Sequence, residues 1–219
     1  MKPVIVAVTG GTASGKSTFA DALRRQLDPY DVRLIGEDEY YGDHATDPGF
    51  DPTRFNFDDV NAHDHDLLAT HLRQLKAGET IHAPLYDFVT HSRLEQTREV
   101  RPGDVIIVEG IHVLSDPKLR GLYDLSIFVD APADIRLARR ILRDVRDRGR
   151  SVESVVTQYL RTVRPMHLAH TEPGRESADM VVLNDAAAAS PELEALSPSF
   201  DKLAAPAAKR VRELLAKAD

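Results

Sequence analysis

The stretch GGTASGKST, residues 10–18, decides the fold of this chain. It contains the pattern G-x4-G-K-S, formed by Gly10, Gly15, Lys16 and Ser17, between a run of β-branched residues and a helical pattern. Glycines let backbone N–H groups turn toward a phosphate, and the amino terminus of the next helix adds partial positive charge. The stretch therefore predicts a phosphate-binding loop between a strand and a helix.

Two side chains of this loop carry the expected chemistry. Lys16 would place a cation on the outer phosphates, and the Ser17 hydroxyl would ligate Mg²⁺. A glycine-rich turn with an accidental lysine is the weaker alternative, because the strand–helix context matches a phosphate loop. The residues expected to bind the nucleotide are Gly10, Gly11, Thr12, Ala13, Ser14, Gly15, Lys16, Ser17 and Thr18.

Outward from the loop, strand and helix patterns alternate along the chain. The expected strands are residues 4–8, 32–35, 105–108, 125–129 and 180–183, and the expected helices are residues 17–27, 65–76, 151–167 and 201–217. Alternation of this kind predicts an α/β domain with a mostly parallel sheet flanked by helices.

The predicted organisation is a single domain over residues 1–219, with three special segments. Residues 79–100 carry strand signals without an intervening helix, which indicates an inserted β-hairpin. Residues 132–150 form an arginine-rich helix that could close over the nucleotide. Residues 186–200 are rich in Ala, Ser and Pro and indicate a linker to the last helix, so that residues 186–219 stand apart.

Composition narrows the functional class. The chain has no cysteine, which excludes disulfides, thiolate catalysis and Cys-bound zinc and favours a reducing cytoplasm. The net charge is 28 − 35 = −7, so a global basic surface for nucleic acid is missing. The apolar run near the amino terminus is far too short for a signal peptide or a membrane span. We therefore expect neither a nucleic-acid nor a membrane partner.

Two acids follow predicted strands. Asp38 lies in RLIGEDEYY after the second strand, and Glu109 follows the apolar run VIIV. Ligands of open α/β sheets bind beyond the carboxyl ends of the strands. Asp38 could be the general base, with Glu109 holding Mg²⁺ directly or through water. The alternative for Asp38 is a surface acid between Glu37 and Glu39, and spacing alone does not separate the two.

The stretch RLARRILRDVRDRGR supplies many arginines. Arg136, Arg139, Arg140 and Arg143 follow i, i+3, i+4, i+7 spacing and share one helix face. Leu137, Ala138, Ile141, Leu142 and Val145 make an apolar face. A solvated basic side balanced by Asp134, Asp144 and Asp147 is one interpretation. We favour a basic lid, since planar guanidinium groups suit a transferring phosphoryl group.

The stretch HAPLYDFVTHSR, residues 82–93, mixes aromatic residues with histidines. It could be an ordinary strand and turn, a metal cluster, or a pocket that recognises a substrate. On a plain strand, Tyr86 and His91 would face opposite sides because their separation is odd. If both contact one base, the chain must turn or bulge between Phe88 and Ser92.

The histidines of NAHDHDLLATH raise the question of a metal site. His63, His65 and His71 lie near two aspartates, but histidines at i and i+2 on a helix diverge. No zinc-ligand spacing is present either. A polar first turn of a helix is therefore the favoured interpretation.

Several motifs in order resemble the uridine kinases of the phosphoribulokinase/uridine kinase family. They are GGTASGKST, EDEYY, FNFDD, YDFVTHSR, VEGIHVL, FVDAPADIRLARRILRDVRDRGR and TQYLRTVRP. The resemblance implies a P-loop NTPase fold and phosphorylation of the 5′-hydroxyl of uridine or cytidine with ATP and Mg²⁺. It also implies a cytoplasmic enzyme of pyrimidine salvage, and a homo-oligomer such as a tetramer.

The resemblance also implies roles for individual residues. Asp38 and Lys16 would be catalytic, and Ser17, Asp38 and Glu109 would lie on the magnesium side. Nucleotide contacts would come from the lid residues Arg140, Arg143 and Arg148. Substrate contacts would come from Asp38, Tyr41, Asp58, Tyr86, Phe88, His91, Arg143, Arg150 and Gln158. Tyr40, Tyr41 and Phe50 could wall the nucleoside pocket or simply belong to the core.

The chain departs from the family pattern in two places. Asp59, Val60 and Asn61 replace the usual His-Pro-Asp-like turn after Asp58, and LNDAAAAS follows Val182 in place of a glycine-containing basic turn. Two other functions stay open. One is a related kinase, similar to phosphoribulokinase or pantothenate kinase, and the other is a nucleotide-binding regulatory module without turnover.

Overall fold

Strands and helices alternate through most of the described chain. The computed structural model describes residues 2–44, 47–52, 54–185 and 200–218. Its strands are β1 Val4–Thr9, β2 Val32–Gly36, β3 Ile81–Asp87, β4 Ser92–Val100, β5 Val105–Glu109, β6 Leu125–Asp130 and β7 Met180–Leu183. Its α-helices are α1 Lys16–Gln26, α2 His65–Lys76, α3 Pro117–Arg120, α4 Ala133–Arg148, α5 Val152–Gln158, α6 Arg164–Met166, α7 Gly174–Ser177 and α8 Asp201–Ala218.

Five of these strands form a parallel sheet in the order β2-β5-β1-β6-β7. Strands β5 and β6 pair with the two edges of β1, apolar clusters cover its two faces, and all six of its residues are buried. A buried parallel sheet is expected to use continuous apolar strands, and VIVAV and VIIV have that character. The predicted mostly parallel α/β fold is confirmed.

Strand register places the polar groups that follow the strands at one edge of the sheet. Glu109 at the end of β5 pairs with Val8 of β1 on one side and with Gly36 of β2 on the other. The chain leaves β1 into the glycine-rich loop and leaves β2 into a short 3₁₀ helix, Glu37–Tyr40. The loop, Glu109 and Asp38 therefore meet beyond the carboxyl ends of adjacent strands.

Two apolar clusters cover the sheet, one on each face. The first joins alternate residues of β1 to α1 and α8, with Phe19, Leu23 and Val211 fully buried. The second joins the other residues of β1 to α2 and to the β3–β4 pair, with Leu68 and Leu72 fully buried. Each cluster uses residues that alternate along the strand, as the pleat requires.

Strands β3 and β4 form a separate antiparallel hairpin. The register shifts between Pro84 and Tyr86, and the strands end at Asp87 and Ser92. His91, between them, has a left-handed φ of 56°. The chain thus turns between Phe88 and Ser92, the interval in which a turn or bulge is needed if Tyr86 and His91 are to contact one base.

The helix expected over residues 151–167 is not one regular α-helix. Helix α5 ends at Gln158 and is followed by a π-helical segment, Tyr159–Val163, by α6, and by a second π-helical segment, His167–Thr171, which runs beyond the expected end. Pro165 has no N–H to continue the regular hydrogen-bond ladder, which favours wider turns around it.

The segment interpreted as a linker includes one residue that belongs to the core. Residues 186–199 lie outside the described residues, but Phe200 is only 4% exposed and packs edge-to-face against Phe19 at 6.3 Å. Helix α8 then packs against α1. Phe200 was assigned to the linker because of the Ala, Ser and Pro before it, and its burial corrects that boundary.

No described helix is both long enough and apolar enough to span a membrane.

Candidate active site

The backbone of the glycine-rich loop takes conformations that favour its sequence. Gly15 caps the amino terminus of α1 with φ 96°, and Gly10 has φ 148°. A Cβ on Gly15 would lie 2.4 Å from the ring of Phe200, and one on Gly10 would lie 2.3 Å from the carbonyl oxygen of Val129. Ala13, with φ 57°, is in the strained left-handed region, as occurs at functional loops. Both glycines are therefore fixed by space as well as by angle.

Behind the loop, Glu109 meets the first residues of α1. The Ser17 hydroxyl donates to Glu109 Oε1 at 3.1 Å, and Lys16 Nζ lies 3.9 Å from Oε2. Burial raises the pKa of Glu109 and outweighs the attraction of Lys16. Glu109 Oε2 is buried and has no hydrogen-bond partner among the described residues. Lys16 balances the charge of Glu109 only in part. The carboxylate and the neighbouring serine hydroxyl therefore offer oxygen ligands that suit a hard cation.

Asp38 lies on the 3₁₀ turn after β2, and its side chain is 58% exposed. Surrounding protein atoms desolvate the carboxyl and raise its pKa. The nearby His63, whose Nε2 is 3.7 Å from Oδ1, and the charge of Lys16 outweigh that effect and lower the pKa. An accessible, ionised carboxylate near the loop lysine can accept a proton from an acceptor hydroxyl.

Directly beside Asp38, Glu37 is fully buried and held by two hydrogen bonds. It accepts from the backbone N–H of His112 at 2.9 Å and pairs with His65 Nε2 at 2.8 Å. Burial raises its pKa, but the nearby His63, His65 and His112 lower it to about 2. The sequence interpretation treated Glu37 only as a neighbouring acid. Its signal was its position after a strand end, one residue before Asp38.

The histidines expected to diverge on a helix do not do so. His63 lies before α2, and its ring is 5.8 Å from that of His65, with 13° between the planes. His71 is apart from them and hydrogen-bonds to the hydroxyl of Tyr40 at 2.9 Å. The expectation was wrong because Asp64, the N-cap, separates His63 from the helix.

Aromatic rings connect Asp38 to the hairpin turn. Tyr41 stacks on His63 at 4.1 Å and lies 5.2 Å from Tyr86 and 5.7 Å from Phe57. Phe57 in turn stacks on His91 at 4.7 Å with 26° between the rings. Tyr86 and His91 thus approach the same group of rings from the two ends of the turn. Phe57 was absent from the sequence candidates.

The hydroxyl of Tyr86 is buried and lacks a hydrogen-bond partner among the described residues. A buried phenol usually finds a partner, so this oxygen suits a polar group of a ligand. Phe88 is 59% exposed near the hairpin tip and contacts Tyr86 edge-to-face at 5.3 Å. Phe88 can therefore reach a bound ligand only from the rim.

Tyr40, Tyr41 and Phe50, which could line a pocket or belong to the core, lie in three different surroundings. Tyr40 is fully buried in the core, whereas Tyr41 belongs to the ring group described above. Phe50 stacks on His44 at 5.6 Å and lies 6.5 Å from His91, at the edge of that group.

Arg93 ties the hairpin to the turn that carries Asp38. Its guanidinium donates to the carbonyl oxygens of Tyr41 at 2.8 Å and Tyr40 at 3.2 Å, and it pairs with Asp64 at 3.3 Å. Its contacts fix the ring group relative to the strand ends.

Asp58 lies close enough to the arginine-rich helix α4 for its charge to act on Arg140: burial lowers the pKa of Arg140, and the charge of Asp58 opposes that larger effect. Its Oδ2 accepts from the Thr162 hydroxyl at 2.8 Å, and its carbonyl oxygen pairs with His112 Nε2 at 2.8 Å. After it, Asp59 accepts from the N–H of Asn61 and caps a 3₁₀ turn, Val60–Ala62. The residues that replace the expected turn thus still form a tight, capped turn.

The arginine face of α4 points inward, and its apolar side is only half buried. Arg136 and Arg140 are each 6% exposed, whereas Val145 of the apolar side is 37% exposed. Arg140 donates to the Thr12 hydroxyl at 2.8 Å and to Gln158 Oε1 at 3.0 Å. Gln158 also accepts from Arg150 at 2.6 Å. This arrangement is opposite to the one that a solvated basic side would show.

A buried aspartate organises these arginines. Asp144 has no exposed surface, and four guanidinium groups surround its carboxylate. Arg143 approaches it to 2.9 Å, Arg148 to 3.4 Å, and Arg140 and Arg150 to 3.6 Å. Like charges at this density need a counterion, so Asp144 holds together side chains that would otherwise repel one another.

We expect Asp144→Asn to lower kcat about tenfold and Tm by roughly 4–8 °C, because hydrogen bonds to charged groups contribute about 1.5–3 kcal/mol. Asp147→Asn, an exposed change of the same type on the same helix, is the matched control. Steady-state kinetics and thermal unfolding by circular dichroism measure both effects. Equal behaviour of the two variants would contradict the role given to Asp144.

Three further contacts at the loop were not anticipated. Arg136 packs on Gly11, where a Cβ would be 2.3 Å from Nη1, and pairs with His167 Nε2 at 3.1 Å. Asn184 donates to the Ser14 carbonyl oxygen at 2.7 Å. Asn184 follows a strand end, as Asp38 and Glu109 do, and that position was its only signal.

The amino-acid sequence of this chain is similar to those of known proteins. Residues 5–187 match the model of the "Phosphoribulokinase / Uridine kinase family". Uridine kinase of Clostridium botulinum (strain Okra / Type B1) is 46% identical over 181 residues, 83% of this chain and 88% of that protein. Uridine kinase of Clostridium perfringens (strain SM101 / Type A) is 44% identical over 83% of this chain and 87% of that protein.

Among solved structures, the fold is similar to that of a protein described as a possible uridine kinase from Bacillus stearothermophilus. The TM-score is 0.59 at 20% identity, and the match covers 83% of this chain and 89% of that one. At this identity the likeness concerns the fold alone.

Proposed function

This chain belongs to the phosphoribulokinase/uridine kinase family, and from that premise we propose that it transfers the γ-phosphoryl group of ATP to the 5′-hydroxyl of uridine or cytidine. The relatives that are 44–46% identical over 83% of the chain are uridine kinases. A nucleoside kinase needs a phosphate loop, a carboxylate for the acceptor hydroxyl and a surface for the base.

The observation that carries this proposal is the position of Asp38 between the loop and the rings. The charge of Lys16 acts on it from one side, and on the other side His63 and then Tyr41 lead to the hairpin. A flat base stacked within the ring group would bring its ribose toward Asp38. Aromatic faces suit a pyrimidine better than they suit a second phosphate.

Roles for the polar groups follow from this placement. Asp38 would accept the proton of the 5′-hydroxyl while the oxygen attacks the γ-phosphorus. Asp58 would accept hydrogen bonds from the ribose hydroxyls. The unpartnered hydroxyl of Tyr86, together with His91, would meet the edge of the base. Phe88 would pack from the rim.

The lid would supply positive charge to the phosphates. Arg140 already contacts Thr12 of the loop, and Arg143 and Arg148 are joined to it through Asp144. Gln158 and Arg150, which are bonded to each other, would lie toward the substrate. Fixed guanidinium groups stabilise charge that spreads over the transferring group without needing to reorganise.

We propose that Ser17 and Glu109, with Asp38 directly or through water, hold the Mg²⁺ that accompanies ATP. The buried, unpartnered Oε2 of Glu109 and the all-oxygen donor set support this assignment. The ion would neutralise charge that develops on the phosphate oxygens.

An acceptor panel tests the proposed function. The full chain is incubated with ATP, Mg²⁺ and one acceptor at a time: uridine, cytidine, thymidine, ribulose 5-phosphate or pantothenate. ADP release is expected to be fastest with uridine or cytidine. Release only with a phosphorylated sugar or with pantothenate would refute the nucleoside assignment, and no release with any acceptor would favour the regulatory module. Neither of those alternatives is favoured by the relatives.

We expect His91→Ala to raise the KM for the nucleoside about tenfold and to leave the KM for ATP within twofold. The reason is that loss of one ring contact and one hydrogen bond amounts to about 1–2 kcal/mol. His82→Ala, on an exposed position of the same hairpin, is the matched control. Initial-rate kinetics with each substrate varied in turn gives both constants. An equal rise in both KM values would remove His91 from the nucleoside site.

The cytoplasmic setting, the homo-oligomer, and the absence of nucleic-acid and membrane partners stay predictions from the sequence.

A further inference from the structure

Beneath Asp38 lies a buried cluster to which the proposed reaction assigns no role other than the effect of His63 on the pKa of Asp38. It consists of Glu37, His63 and His65, which are buried in the described structure. One carboxylate oxygen and one nitrogen from each imidazole lie within 4.8 Å of one another. The three side chains come from two separate segments, the turn after β2 and the entry to α2. Two imidazoles and a carboxylate form a donor set that binds Zn²⁺.

His63 is the member that lacks an explanation without a ligand. Its side chain is 0% exposed, and neither ring nitrogen hydrogen-bonds to any group in residues 2–44, 47–52, 54–185 or 200–218. The nearest acid, Asp38, is 3.7 Å away, which is too long for a hydrogen bond. A buried polar group without a partner costs roughly 1–3 kcal/mol. A metal ion bound to one ring nitrogen would remove that cost for the nitrogen it binds.

Acidic and polar groups outside the cluster lie beside two of its members. Asp116 Oδ2 lies 3.7 Å from His65 Nδ1, on the side of the ring away from Glu37. This distance is also beyond that of a hydrogen bond, so the Asp116 carboxylate would have to approach the ring when the ion binds. The backbone N–H of His112 holds Glu37 Oε2, which leaves Oε1 toward the histidines. Histidine ligands usually direct their second nitrogen to a carboxylate, and carboxylate ligands are usually hydrogen-bonded themselves.

We propose that Glu37, His63 and His65 bind one divalent transition-metal ion, with Zn²⁺ the best match. Ligand atoms around tetrahedral Zn²⁺ stand roughly 3.3 Å apart, so side-chain rotations must draw these atoms together by up to roughly 1.5 Å. His65 Nε2 would lose to solvent the proton it shares with Glu37 Oε1, and both atoms would turn lone pairs to the ion. A water molecule would complete the coordination.

This site differs in chemistry from the proposed magnesium site. The donors at Ser17, Glu109 and Asp38 are all oxygens, which suit Mg²⁺, whereas imidazole nitrogens favour Zn²⁺ and related ions. The ion would stabilise the turn that contains Asp38, because one ligand, Glu37, precedes Asp38 and another, His63, lies next to the Asp38 side chain. The proposal concerns binding and does not depend on the reaction.

Metal binding to the full chain tests the proposal. The protein is stripped with a chelator and titrated with Zn²⁺ by calorimetry in excess Mg²⁺, which keeps the oxygen site filled. We expect one Zn²⁺ per chain with a Kd below about 10 μM, and at least a hundredfold weaker binding in His63→Phe and in Glu37→Gln. Circular dichroism checks that each variant is folded.

Two matched variants decide where the ion binds. His82→Ala removes an exposed histidine outside the cluster, and Glu109→Gln removes the carboxylate of the oxygen site; both should keep full Zn²⁺ binding. With Co²⁺ in place of Zn²⁺, visible absorption from imidazole coordination should appear in the original protein and disappear in His63→Phe. No binding at 100 μM Zn²⁺, unchanged binding in His63→Phe, or loss of binding in Glu109→Gln would each overturn the proposal.

Discussion

Asp38→Asn is expected to lower kcat by at least about a hundredfold while ATP binding stays within a few-fold of the original. A positioned general base contributes about 10²–10⁴-fold, and a hundredfold loss corresponds to about 3 kcal/mol of activation free energy. Asparagine keeps the shape of the side chain but cannot accept the proton of the 5′-hydroxyl. The loop that binds the phosphates remains intact in this variant.

Glu39→Gln is the matched control for that prediction. It removes a carboxylate one residue away that is already paired with Arg98 at 2.7 and 2.9 Å. We expect its kcat to fall by less than about threefold, since a partly exposed ion pair contributes little. Single-turnover rates and ATP binding are measured for both variants. Near-full turnover of Asp38→Asn with ATP bound would show that another group takes the proton.

Lys16→Ala is expected to reduce kcat/KM for ATP by at least about a hundredfold. Its ammonium group lies 3.9 Å from Glu109, at the first residue of α1, where the loop would receive the outer phosphates. The reason is that the cation would stabilise charge on the transferring group. Because the Lys16 side chain is only 16% exposed, we expect that water entering the space left by its removal would not substitute for its charge.

Lys118→Ala separates this effect from a general loss of positive charge. Lys118 is 60% exposed and pairs with Asp66, which is 76% exposed, away from the loop. We expect its kinetics to match those of the original protein. An unaffected kcat/KM for ATP in Lys16→Ala, measured over a full range of ATP concentrations, would refute the role of the loop lysine.

The parts of the structure that follow from local pattern could be predicted. The stretch GGTASGKST predicted the first strand–loop–helix unit, and apolar runs such as VIIV predicted strands buried on both faces. Asp38 and Glu109 could be placed at one edge because parallel strands end there together. The odd spacing of Tyr86 and His91 predicted a turn or bulge on the condition that both contact one base, and His91 has a left-handed φ.

Contacts between distant segments could not be predicted in the same way. The cluster of Glu37, His63 and His65 depends on how the turn after β2 packs against the entry to α2, and neither segment signals it alone. The direction of the arginine face was ambiguous as well. A basic face usually points to solvent, whereas this one points inward toward the buried Asp144, Thr12, Gln158 and His167, which come from separate segments. Phe200 stood next to linker-like residues, and its burial depends on α1.

The most direct test of the central claim is the product formed from uridine, ATP and Mg²⁺, identified by phosphorus NMR. We predict uridine 5′-monophosphate with one ADP per product. 5′-Deoxyuridine, which keeps the base and both ribose hydroxyls, should give no phosphorylated product and should inhibit the reaction competitively with uridine. ADP release from 5′-deoxyuridine at the rate seen with uridine, or phosphate on another hydroxyl of uridine, would contradict the account.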